Sequence, residues 1–103
     1  MEHNVYFWLK EEHQNATDRA AFEQGLSDLL KVPGSISGAW GVPAAVPQRA
    51  VVDSSWDYSL RLTFASIADH DAYQVHPDHN VFIANQLPKW QRVLVLDTET
   101  KGS

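Results

Sequence analysis

Cysteine is absent from the 103 residues. That excludes disulfide scaffolds, thiolate metal sites and cysteine nucleophiles together. Lysine and arginine are scarce, 8 against 13 aspartates and glutamates, for a net charge of −5. The basic residues are scattered along the chain rather than gathered into the stripe that a duplex-binding domain carries, so no nucleic-acid partner is expected. No run approaches the ~18 apolar residues of a membrane span, and no membrane partner is expected. The opening Met1-Glu2-His3 lacks the basic-then-apolar pattern of a secretory signal. A cytoplasmic location is the resulting expectation. Repeats and low-complexity segments are also missing.

What is present is apolar and aromatic. Hydrophobic residues make up 44% and charged residues 20%, enough apolar surface to offset chain entropy and exclude a disordered chain. Four Trp, three Tyr and four Phe are a heavy aromatic load for one small domain. A chain of this length buries only roughly 60–70% of its unfolded surface, so the load points to a pocket, a partner surface, or both.

Residues 3–10 alternate as a strand, with Val5, Phe7 and Leu9 on one face and Tyr6 and Trp8 on the other. Thr17 reads as the N-cap of a helix whose stripe is Phe22, Leu26, Leu29 and Leu30, and Pro33-Gly34 ends it. Gly25 inside that helix suggests close packing or a need for space. Residues 36–42 form a weaker strand, with Gly38 and Gly41 hinting at a bulge or close backbone approach. Residues 43–56 form a long connection, a lid or an interface arm. Tyr58 to Phe64 alternates as a third strand. A capping box at Ser66 starts a second helix, and Pro77 restarts it. Val81, Phe82 and Ile83 are expected to turn inward along that second segment. Arg92 to Asp97 is the last strand, followed by a polar tail at 99–103 after a domain spanning 1–98.

The order is β-α-β-β-α-β, the ferredoxin-like α+β arrangement with an antiparallel four-stranded sheet. Two helical regions cover one face of such a sheet. Tyr6, Trp8, Leu94 and Leu96 then make the opposite face apolar as well, and burying each is worth ~1.5–3 kcal/mol. A symmetric dimer, two sheets pressed into a barrel, is the expected solution.

The stretch Tyr73-Gln74-Val75-His76-Pro77-Asp78-His79 carries the candidate chemistry. Histidine is the general acid–base group best matched to neutral pH, and a nearby tyrosine hydroxyl polarises a carbonyl. Two such groups suffice for proton abstraction beside a carbonyl. A satisfied core pair is the equally physical alternative. His76 and His79 also suggest metal ligands, with His3, His70 or Asp78 as a third. Nothing in the spacing fixes that third ligand, so neither metal nor cofactor is expected. His3 and Tyr58 are placed to line one cavity with Tyr73.

The opening strand, Tyr58 to Ser66, the Tyr73-x-x-His76-Pro77-x-His79 segment and Val93 to Asp97 resemble the stress-responsive A/B barrel, or Dabb, family. That resemblance implies a ferredoxin-like protomer in a dimeric α/β barrel. One plant member, olivetolic acid cyclase, closes a linear polyketide by aldol chemistry. By similarity to it, His79 would remove a proton and Tyr73 would hold the carbonyl oxygen. The same similarity implies a ligand cavity lined by His3, Val5, Phe7, Leu60, Ile67, Phe82, Val93 and Val95, with Phe22, Tyr58 and His76 as further contacts. Tyr58 stands where that cyclase has a histidine, and Phe22 and Gly25 replace part of its aromatic lining, which implies a differently shaped pocket. The expected ligand is a small apolar or aromatic molecule.

Overall fold

Alternation in the first strand dictates the architecture. In the computed structural model, which describes residues 1–103, β1 spans Glu2–Leu9 and buries every second side chain: His3, Val5, Phe7 and Leu9. The helices cover this face, and α1 (Ala16–Leu29) brings Phe22, Leu26 and Leu29 down from its apolar stripe. β2 (Ser35–Gly41) and β3 (Tyr58–Phe64) follow, then α2 (Ile67–Gln74), α3 (Pro77–Gln86) and β4 (Trp90–Thr98). Short 3₁₀ turns at Glu11–His13 and Leu87–Lys89 complete the chain. The sheet order is β2-β3-β1-β4, antiparallel throughout. This is the ferredoxin-like α+β fold, with its last helical region split in two at Pro77.

The core lies between the sheet and the helices and is largely aromatic. Phe22 stacks on Tyr58 with centroids 5.1 Å apart and meets Phe7 edge-on at 5.2 Å. Gly25 serves close packing: a Cβ there would lie 3.1 Å from the Phe82 ring, so its absence lets α1 approach α3. Gly38 answers a tighter demand, since a Cβ would stand 2.5 Å from Leu62 Cδ2. The irregular register of β2 falls between Ser35 and Ser37 rather than at either strand glycine.

Two local expectations are corrected. The N-cap of α1 is Asn15, not Thr17; its side chain accepts a hydrogen bond from the Asp18 amide at 2.9 Å. Val81 does not turn inward: it is 56% exposed, because Phe82 and Gln86, four residues apart, take the buried line of α3. Ile83 packs against the core edge.

The 43–56 connection has no regular structure, and its end is pinned to the sheet. Trp56 meets Tyr6 edge-on at 5.2 Å, the Trp8 indole donates to Ser55 Oγ at 3.0 Å, and the Asp57 amide donates to the Phe7 carbonyl at 2.8 Å. Its aromatic end therefore lies on the face of the sheet away from the helices.

Candidate functional site

Pro77 brings the key residues together. Ser66 caps α2 by accepting from the Asp69 amide at 3.1 Å, and that helix carries Tyr73 into the core in its last turn. The chain then breaks. His76 caps α3, its Nδ1 accepting from the Asp78 amide at 3.0 Å, and Pro77 opens the new helix without a missing partner for its nitrogen. The break turns His79 back toward Tyr73, and the two rings meet edge-on with centroids 4.9 Å apart.

Both face a cavity of about 190 Å³ between sheet and helices. Of the residues expected there, His3, Val5, Phe7, Leu60, Tyr73, His79, Phe82, Val93 and Val95 line it. Leu29, Gln74, Ile83 and Trp90 line it too. Trp90 gave no signal in sequence, because it stands before the alternating run of the last strand. The bulge at Trp8/Leu9 pairs it with Leu9 and so brings it to the cavity side of β4.

Electrostatics divide the site. Burial alone pushes the Tyr73 phenol far above its ordinary range, so it stays a proton donor. His79 is held below the usual histidine value, first by burial and then by the neighbouring His3 and His70. It is therefore a neutral imidazole at neutral pH. Its Nδ1 is buried without a hydrogen-bond partner, as is the indole nitrogen of Trp90. Tyr73 and His79 thus do not saturate one another. His3 is 4% exposed, and its Nδ1 donates to Asp97 Oδ1 at 2.5 Å.

A family model described as Dabb, the Stress responsive A/B Barrel Domain, matches residues 1–100. This chain belongs to the Dabb family. Three solved structures show the same fold. An Arabidopsis thaliana protein is 18% identical, with a TM-score of 0.80 over 99% of this chain and 96% of its own. A Jannaschia protein described as dimeric, ferredoxin-like and of unknown function is 25% identical, with a TM-score of 0.73 over 96% and 97%. A hydroxynitrile lyase from Passiflora edulis is 21% identical, with a TM-score of 0.75 over 98% and 95%. No curated protein matches the chain in sequence. No helix of this Dabb domain is long and apolar enough to cross a membrane.

Four residues expected at the cavity of this Dabb chain lie outside it. Phe22 is wholly buried and spends its ring on Tyr58. Tyr58 turns its hydroxyl away, donating to Glu23 at 2.6 Å, with the Arg19 guanidinium 5.6 Å over its ring. Ile67 opens α2 and is 53% exposed. His76 is occupied as the α3 cap. The histidine cluster also differs from the one that spacing suggested. His76 and His79 do not converge on a common point; His3 and His70 approach each other instead, with ring centroids 4.8 Å apart.

Proposed function

We propose that this Dabb chain is a cytoplasmic homodimer that binds a small, largely apolar or aromatic molecule with one polar end. The observation that carries the reading is the cavity beside Tyr73 and His79. Ten of its 13 lining residues are hydrophobic, and unpartnered polar atoms sit at His79 Nδ1 and Trp90 Nε1. An apolar cavity of about 150 Å³ is enough to hold benzene, so this one has room for a substituted ring. The indole donates to a ligand oxygen and His79 accepts from a ligand hydroxyl, which relieves the cost of two buried orphan groups. The test is a thermal-shift screen of phenols, aromatic aldehydes and short ketones. Ligands of this class raise Tm in the wild type and fail to do so in Val95→Trp, which fills the cavity. A screen without a single stabilising member would sink the proposal.

A second reading, an acid–base enzyme, is favoured by the protonation states. A neutral His79 beside a tyrosine that keeps its proton can act as base and electrophile on one carbonyl compound. His79 takes the proton from the carbon beside the carbonyl, and the Tyr73 hydroxyl donates to the oxygen on which charge develops. Similarity to olivetolic acid cyclase, with its Tyr–His pair falling on Tyr73 and His79, supports cyclase, lyase or isomerase chemistry of this kind. The Passiflora edulis protein is an enzyme built on the same fold. Exchange of carbonyl-adjacent hydrogen for deuterium in bound ketones measures the step directly. It is expected in the wild type and absent in His79→Ala; equal exchange in both removes His79 from the role.

The dimer part of the proposal rests on the other face of the sheet. Tyr6, Trp8, Trp56, Leu94 and Leu96 enclose a shallow apolar depression there. A second copy placed sheet to sheet covers it.

A further inference from the structure

We propose that His3, His70 and Asp97 form a binding site for one divalent transition-metal ion, zinc or iron(II) in chemical class. The three come from β1, α2 and β4. His3 and Asp97 are directly paired across β1 and β4, so strand register places their side chains on the same face. α2 then lays His70 over them. One ligand atom from each lies within 4.8 Å of the other two.

The distances lie near those of an ion site. Tetrahedral coordination with metal–ligand bonds of about 2.0–2.2 Å puts neighbouring ligand atoms about 3.4 Å apart. Asp97 Oδ1 is 3.9 Å from His70 Nε2 and 2.5 Å from His3 Nδ1. One small swing of the half-exposed Asp97 carboxylate toward His70 corrects both separations. The tautomer of His70 is already suitable: its Nδ1 donates to Asp71 Oδ1 at 3.0 Å, which leaves the Nε2 lone pair for a metal. A carboxylate behind a ligating imidazole is the usual supporting arrangement at such sites.

Gln74 supplies the remaining piece. Its amide nitrogen lies 3.4 Å from both His3 Nε2 and His70 Nε2. When the ion takes the place between His3 Nδ1 and Asp97, the His3 proton moves from Nδ1 to Nε2. The Gln74 amide, turned to present Oε1, accepts a hydrogen bond from that Nε2–H; the proton stays on His3, and none is left over. Three protein ligands leave a fourth position for water. Two imidazoles and one carboxylate suit zinc, iron(II), cobalt or nickel rather than calcium or magnesium, which favour all-oxygen sites.

The surface pair His13–Asp18, with Nδ1 and Oδ2 3.0 Å apart, is an internal control: a histidine and an aspartate without a second imidazole. The experiment is titration of the tag-free full chain with cobalt(II), followed by visible absorption, then displacement by zinc in a calorimeter. One ion per chain is expected, with loss of the absorption in His70→Ala and Asp97→Asn. Asp71→Asn weakens affinity about 10–100-fold, and His13→Ala leaves it unchanged. Wild-type affinity no tighter than that of His70→Ala, or an equal loss in His13→Ala, overturns the site. Should His70→Ala not fold, the exposed Asp71→Asn decides alone, and unchanged affinity there overturns it too. No organic ligand enters this titration, so its failure leaves the cavity reading standing.

Discussion

His79 is the residue whose surroundings most alter its behaviour. Burial and two neighbouring histidines disfavour its charged form, so the folded chain binds a proton at this position less readily than the unfolded chain does. The sign follows directly: stability is lost as pH falls through the unfolded value of 6.5 toward the lower folded one, because the unfolded state then takes up the extra proton. Tm should therefore fall between about pH 7 and pH 5 more steeply in the wild type than in His79→Gln. Parallel profiles would show that His79 is not desolvated. Family resemblance singles out Tyr73 and His79 as a pair, while spacing alone pairs His79 with His76; the turn at Pro77 that sets Tyr73 against His79 comes from the structure. Phe22 and Tyr58 were misplaced because a strand alternation or helix stripe says which residues face the core. It does not say whether they face a void or another ring.

The start of α1 separates two residues of capping type that stand two positions apart. Thr17 and Asn15 both belong to types that cap helices, with asparagine the stronger of the two. The structure chooses Asn15, whose Oδ1 accepts from the Asp18 amide while its Nδ2 donates to Asp18 Oδ2 at 2.8 Å. Asn15→Ala should cost about 1 kcal/mol in urea unfolding. Thr17→Ala, inside the exposed first turn, should stay within about 0.5 kcal/mol of the wild type. The reverse order would return the cap to Thr17. α3 teaches the related lesson about phase. Val81 and Phe82 are both apolar, but one helical step rotates a side chain by about 100°, and Phe82 is the one that fits beside Gly25.

A single copy measures 36 × 35 × 17 Å, a slab one sheet and one helical layer thick. Its helix-free face keeps Leu96 51% exposed, and Arg92 lies 4.3 Å over the Trp8 ring on the same side. A sheet-to-sheet dimer of stable size buries about 800 Å² per partner. Sedimentation should give a dimer for the wild type and a monomer for Leu96→Lys, with tryptophan emission shifting red on dissociation. A wild type that sediments as a monomer at micromolar concentration would leave the open face without the occupant proposed for it.

Strand alternation, helix stripes and helix-breaking residues are local, and they determined the element order, the buried face of β1 and the helix break at Pro77. The tertiary structure alone decided three things. Trp90 reaches the cavity through a bulge in strand pairing. His70 joins His3 and Asp97 through the docking of α2 over a β1–β4 pair. Trp56 comes down on the open face from a connection without periodicity. Each depends on residues far apart in the chain being brought within a few ångströms, and short-range pattern carries no information about such distances.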